Sequence, residues 1–351
     1  MQNKIIVTTG YMGSGSSAVT DYLSEFLNIN VKNGSYEYIF LHCPDGLFDL
    51  EDKLFLGNNA IRSDEAIHSF RKQMEFLYKK KNFWAGSYRK FISKNFMDYV
   101  EEFLAEITTA KMRDTYWYYQ QMPVNFRIQL KCYIRRLIEA ITFHKLNVPS
   151  PVRYNTMELA FPSRNEFYNA SKKFIGMVLK DLSNSQEYMV MDQLLLPHNL
   201  YRLDHYFDNC KVIVVERDPR DVFFLNKYVW APKNTAVPYP LNVELFCKYY
   251  IAMRENEILV SSDKIQRIHF EDLVYNYEET SSKIELFLGI NEGNHIQKKK
   301  FFNPEISIKN TQLFSRCKEH YDEFAYIEKE LQNYLYMFPF EIDINSSDCP
   351  F

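Results

Sequence analysis

The stretch IIVTTGYMGSGSSAVTDYL, residues 5 to 23, leaves a chain few folds to adopt. Ile5, Ile6 and Val7 make a short apolar run suited to a buried strand, and Ala18, Val19, Tyr22, Leu23, Phe26 and Leu27 recur at helical spacing after it. Between strand and helix lie Gly10, Gly13 and Gly15 with Ser14, Ser16 and Ser17. Such a turn gathers backbone N–H groups at the positive end of a helix, where an anion settles without any charged side chain. A tight turn with a serine cap would use the same residues. The nucleotide loop G-x-x-x-x-G-K-[ST] has a lysine after its second glycine; Gly10 and Gly15 keep that spacing, but Ser16 stands in the lysine's place.

The rest of the chain alternates strands and helices. YEYIFLH (36–42), EYMVMDQ (187–193), KVIVVERDP (211–219) and IQRIHFEDL (265–273) read as strands. The intervening segments EFYNASKKFIGMVLKDL (166–182), PHNLYRLDHYF (197–207) and RDVFFLNKYVW (220–230) read as helices, as do residues 16–29 and the tail 319–337. This rhythm predicts a three-layer α/β/α domain with a mostly parallel central sheet, like that of P-loop NTPases. Residues 60–147 depart from it, reading as helices rich in aromatic and basic side chains with few strand signals. They are expected to be a large helical insertion within one domain spanning 1–351, with NVPSPVRYNT (147–156) as the best linker candidate.

Composition narrows the partners. With 42 basic and 45 acidic side chains, the net charge of -3 gives no global field for nucleic acid, so an anion site must be local. The six cysteines show neither a C-x-x-C pair nor zinc spacing, which predicts reduced thiols, a cytoplasmic location and no metal. No apolar run approaches the ~18 residues of a membrane helix, and the N-terminus carries no signal-peptide pattern.

An NTPase needs its loop lysine and an acidic residue at a second strand end to hold Mg²⁺. Here KVIVVE leads into RDPRD, which puts Arg217 and Arg220 at that strand end. Arginine there suits a second bound phosphate, although an ion pair with Asp218 or Asp221 would also occupy it. Two anion sites at the carboxyl ends of parallel strands fit a nucleotide phosphorylated at both ends.

Together, and in this order, YMGSGSSAV, KVIVVERDPRDV and RIHFEDLVYNYEETSSKIELFLGI resemble three segments of the sulfotransferases that use 3′-phosphoadenosine 5′-phosphosulfate (PAPS). The segments are the 5′-phosphosulfate loop, the 3′-phosphate segment and the late strand-helix, and the flavour is closest to bacterial carbohydrate sulfotransferases. The resemblance implies that Gly13, Ser14, Gly15, Ser16 and Ser17 bind the sulfur-bearing end and Arg217 the 3′-phosphate. It also makes Lys309 and Asn310, in ISIKNTQLF, candidates for closing over the 3′ end. Two positions depart from the family. Gly13 stands where a Lys or Arg usually precedes the Ser-Gly pair, and Leu225 replaces the serine eight residues after the arginine, leaving Asn226 or Lys227 to substitute.

Sulfonyl transfer requires alignment, stabilisation of a departing bisphosphate nucleotide and a base for the acceptor proton. Family members take a Glu or His after the first helix. GSYEYIFLHCPDG offers Glu37 first and His42 second, with Asp45 also present and Asp192 of VMDQLLLP in reserve. A strand-end carboxylate or a packed histidine would account for Glu37 and His42 equally. The expected activity is transfer from PAPS to a hydroxyl, on a carbohydrate or another small-molecule acceptor. A kinase or NTPase with a displaced lysine and an inactive nucleotide-binding scaffold are the alternatives. The interleaved bases and aromatics of residues 71–91 suit either an anionic-polymer groove or a solvated helix face.

Overall fold

The computed structural model describes residues 4–34, 36–80, 85–116, 126–149, 155–235, 237–316 and 318–340. Among the described residues the seven strands are β1 (Lys4–Gly10), β2 (Ile29–Asn30), β3 (Ala110–Tyr116), β4 (Asn155–Leu159), β5 (Tyr188–Val190), β6 (Cys210–Glu216) and β7 (Ile265–His269). The chain divides into two compact units: Met1–His42, Lys81–Ala85 and Leu179–Phe351 form one, and Cys43–Lys80 and Gly86–Val178 the other.

The first unit holds a five-stranded sheet in the order β2-β5-β1-β6-β7, parallel at every pairing. β1 is central, with Ile6 beside Val190 on one flank and Val7 beside Val212 on the other. Ile5 through Gly10 are all buried, so both faces of this strand are covered, as the uninterrupted apolar run requires. On one face Ile6, Val215 and Ile268 pack with Val19, Tyr22 and Leu23 of α1 (Ser16–Leu23) and with Leu273, Ile284 and Leu288. A further core gathers Val222, Phe223, Phe246, Leu313, Phe324 and Ile327 from the later helices. The expected α/β architecture with a parallel sheet is therefore present, and the segments that follow β1, β5 and β6 carry candidate residues.

Several elements differ from the sequence expectation. Residues 36–42 form no strand: Tyr36, Tyr38, Phe40 and Leu41 are buried, but the segment turns at His42, whose N–H donates to Ile39 O, and the second strand is the two-residue β2 instead. Alternating burial alone mimics a strand wherever an extended loop packs its aromatics. α1 stops at Leu23 rather than running to residue 29, because Ser24 Oγ bonds back to Thr20 O and the chain then bends into β2. The helix over 220–230 is α-helical only at Pro219–Phe224 and widens into a π turn at Leu225–Trp230. The tail helix is confined to Tyr321–Glu330.

The second unit contains the helices Ala60–Lys79, Phe96–Ile107 and Phe126–Ile141 and an antiparallel pair of β3 with β4. β3 lies inside the block that reads as helical, because its partner β4 follows only after a long excursion. Residues 150–154 of the linker candidate lie outside the described residues, and 155–156 begin β4. Cys317 and Cys349 are likewise outside them, whereas Cys43, Cys132, Cys210 and Cys247 are free thiols. No helix among the described residues is long and apolar enough to cross a membrane.

Candidate functional site

β1 ends at Gly10, where a side chain is sterically forbidden: a Cβ would stand 2.2 Å from Ser14 Oγ and 2.5 Å from Val215 O. The chain then turns through Gly13 (φ +85°) and Gly15 (φ +86°), both left-handed positions that favour glycine. Gly15 is the N-cap of α1 and supplies no side-chain cap, so no serine fills that role. The first-turn amides of α1 therefore point into the turn without a side-chain acceptor. Ser14 Oγ is buried and has no hydrogen-bond partner among the described residues.

Ser16, at the position of the missing lysine, is held from the end of β5. Gln193 Nε2 donates to Ser16 Oγ at 2.9 Å, and Thr9 Oγ1 donates to Gln193 Oε1 at 3.0 Å. With its oxygen accepting from Gln193, the Ser16 hydroxyl keeps its own proton to donate. Gln193 itself sits at φ +55°, a strained backbone for a non-glycine residue. It is pinned there by its N–H to Thr8 O and by His42 Nε2 on its carbonyl at 2.7 Å. A carbonyl only accepts, so His42 carries its proton on Nε2, and burial pulls its pKa below the ordinary value.

Arg217 follows β6 and joins the loop to a distant segment. Its Nη1 donates to Gly13 O at 3.1 Å, its Nη2 to Asn310 O, and its guanidinium lies 4.9 Å from the Phe270 ring centroid. The buried Nε has no partner among the described residues. Beneath it, Asp221 and Glu271 are pushed up to about 7 and about 8 by burial, with Arg217 pulling the other way. Arg220, by contrast, is committed to Asp218 at 2.9 Å and to the Phe314 ring.

These elements border one cavity of about 650 Å³, within the usual range for small-molecule sites. Of the residues singled out from sequence, Gly13, Gly15, Ser16, Ser17, Glu37, Asp192, Arg217 and Asn310 line it. Ser14, His42, Asn226 and Lys309 do not. Asn226 is buried with Nδ2 donating to Tyr239 O, while Leu225 faces the cavity, a consequence of the π turn that rotates this helix segment.

Among the described lining residues Arg217 is the one cation, facing the carboxylates Asp21, Glu37 and Asp192. Burial pushes Glu37 up to about 7. Asp192 also rises to about 7, first through burial and then through the Glu37 charge, with the Thr8 hydroxyl at 3.2 Å opposing. Burial raises Asp21 as well. The Glu37 charge thus adds to the rise of Asp192, whereas Glu37 itself rises through burial alone.

The sequence reading missed Gln193, the clamp on Tyr11, and the aromatic wall of Trp230, Phe270, Phe301 and Phe302. Tyr11 donates to Glu257 and accepts from Arg267 at 3.3 Å, under the Arg254 guanidinium at 4.3 Å. Glu25 fixes Phe301 and Phe302 by accepting their amides at 2.9 and 3.0 Å. Gln193 could have been found from its place at a strand end beside Asp192; the other contacts join residues too far apart in sequence to signal one another.

A family model described as the sulfotransferase family matches residues 98–292, a span that includes Arg217 but not the glycine loop. Among solved structures, the sulfotransferase domain from the Curacin biosynthetic pathway matches with 13% identity and a TM-score of 0.38, over 84% of this chain and 77% of that one. The sulfotransferase domain from the Synechococcus PCC 7002 olefin synthase matches with 12% identity and a TM-score of 0.39, over 97% and 98%. No curated protein matches.

Proposed function

The chain belongs to the sulfotransferase family, and on that premise we propose that it moves a sulfonyl group from PAPS to an acceptor hydroxyl on a carbohydrate, in the cytoplasm. The observation that carries this reading is the convergence of the glycine loop, Arg217 and a poised carboxylate on one cavity. The residues present fit an anionic donor. Gly13 and Gly15 leave room for close backbone approach, and Arg217, which lines the cavity, has a buried Nε donor with no partner among the described residues. PAPS would supply an activated sulfuryl group and a good leaving group, the 3′,5′-bisphosphate nucleotide.

In this reading the amides of Gly13, Gly15, Ser16 and Ser17 and the Ser16 hydroxyl hold one anionic end, the Ser14 amide being spent on Tyr11 O within the turn, with the charge of the family's missing loop base replaced by main-chain dipoles. Arg217, steadied by Gly13 and Asn310, holds another. Glu37 accepts the acceptor's hydroxyl proton as the new O–S bond forms, and its pKa near 7 suits that role. His42 serves by holding Gln193, and through it Ser16, rather than by touching the acceptor. Asn226 supports the Tyr239 backbone. Residues 60–147 form an insertion within one catalytic domain.

The test is mass-spectrometric detection of sulfated product from PAPS and a panel of glycans. Product formation that Glu37→Gln abolishes, while melting still responds to adenosine 3′,5′-bisphosphate, supports the reading. Stabilisation by ATP with Mg²⁺ alone would turn it toward a kinase, and no response to either nucleotide toward a scaffold.

A further inference from the structure

The helix Phe126–Ile141, carried between β3 and β4, has its faces reversed. None of its 16 residues is buried. At 100° per residue, Phe126, Leu130, Tyr133, Ile134, Leu137 and Ile141 fall on one arc about 100° wide. Every one of them is exposed, from 44% at Leu137 to 76% at Phe126. The four less exposed positions, Ile128, Cys132, Arg135 and Glu139, lie on the opposite side, where Arg135 Nε donates to Glu139 Oε1 at 2.8 Å. A helix that packs onto its own core does the reverse, turning its apolar stripe inward and its ion pairs outward.

Charge selects the occupant. Arg127 and Lys131 border one edge of the stripe and Arg136 the other, all exposed, while the helix's single acidic residue, Glu139, is held by Arg135 on the far side. We propose that this helix lies in the plane of an anionic lipid surface, its apolar stripe in the acyl boundary and its flanking cations among the headgroups. A second copy laid against the stripe would bring cation against cation with no carboxylate to answer them. With a length of about 24 Å and several charges, the helix lies on a bilayer rather than crossing it. The inference stands apart from the sulfonyl-transfer reading, since it uses none of the cavity residues.

The full chain is sedimented with phosphatidylcholine vesicles, with and without phosphatidylserine. The expected result is pelleting with phosphatidylserine vesicles that weakens as salt rises. Leu137→Glu should abolish the pelleting, and the triple variant Arg127→Gln, Lys131→Gln, Arg136→Gln should weaken it on the order of 100-fold, each flanking cation contributing about fivefold. Because these side chains are exposed, each variant should melt as the wild type does. Absence of pelleting by the wild type overturns the proposal, as does equal pelleting with phosphatidylcholine alone. So does light scattering in which Leu137→Glu dissociates a dimer while vesicle binding stays unchanged. None of these results depends on whether adenosine 3′,5′-bisphosphate binds.

Discussion

Replacing Glu37 with glutamine should make the protein more stable and less active at once. Burial raises the Glu37 carboxyl from its ordinary 4.5 to about 7, so the folded chain holds a proton that the unfolded chain has released. Between these two values folding stability falls as pH rises, and above about 7 the loss is complete. A displacement of about 2.5 pH units corresponds to about 3.4 kcal/mol, which we reduce to about 2–3 kcal/mol because the side chain faces an open cavity. With about 2.1 cal/mol/K of unfolding entropy per residue over 351 residues, each kcal/mol moves Tm by about 1.4 °C. Calorimetry at pH 8 should therefore show Glu37→Gln melting about 3–4 °C above wild type, with the gap closing toward pH 4. Sulfonyl transfer should fall by about 10²–10⁴-fold. A lower melting temperature at pH 8, or unchanged turnover, would refute the assignment of a half-buried base with a raised pKa at this position.

Wild-type kcat should rise with pH through about 7, following the Glu37–Asp192 pair, and His42→Ala should lower stability by about 1–2 kcal/mol without moving that midpoint, as pH–rate profiles would show. Gly15→Ala forces a Cβ to 3.0 Å from Phe270 Cδ2 at φ +86°; a stability loss of roughly 1–2 kcal/mol and impaired nucleotide binding should appear in denaturant titration and calorimetry. Gln193→Leu frees the Ser16 hydroxyl to rotate and should weaken adenosine 3′,5′-bisphosphate about tenfold by titration, whereas a purely structural glutamine would alter melting alone.

The site was legible where physics acts locally. The glycine loop could be placed from residues 5–23, because strand period, helix period and glycine spacing all lie within one short window. Arg217 was legible for the same reason, standing at the end of an apolar strand. Glu37 reached the cavity although its strand does not exist, since an extended loop with buried tyrosines alternates as a strand does. Asn226 does not line the cavity, because its helix segment carries a π turn that no residue pattern announces. The hold of Gln193 on Ser16, 177 positions away, and that of Glu25 on Phe302, 277 away, depend on tertiary placement that only the fold supplies.

The central claim is that one cavity grips a nucleotide at two anionic ends, with Arg217 as its cationic contact. Isothermal titration should find adenosine 3′,5′-bisphosphate binding more tightly than adenosine 5′-monophosphate. Arg217→Ala should remove that advantage, a loss of about 1.5–3 kcal/mol or roughly 10–100-fold. Equal affinity for the two nucleotides, or an advantage that survives Arg217→Ala, would contradict it.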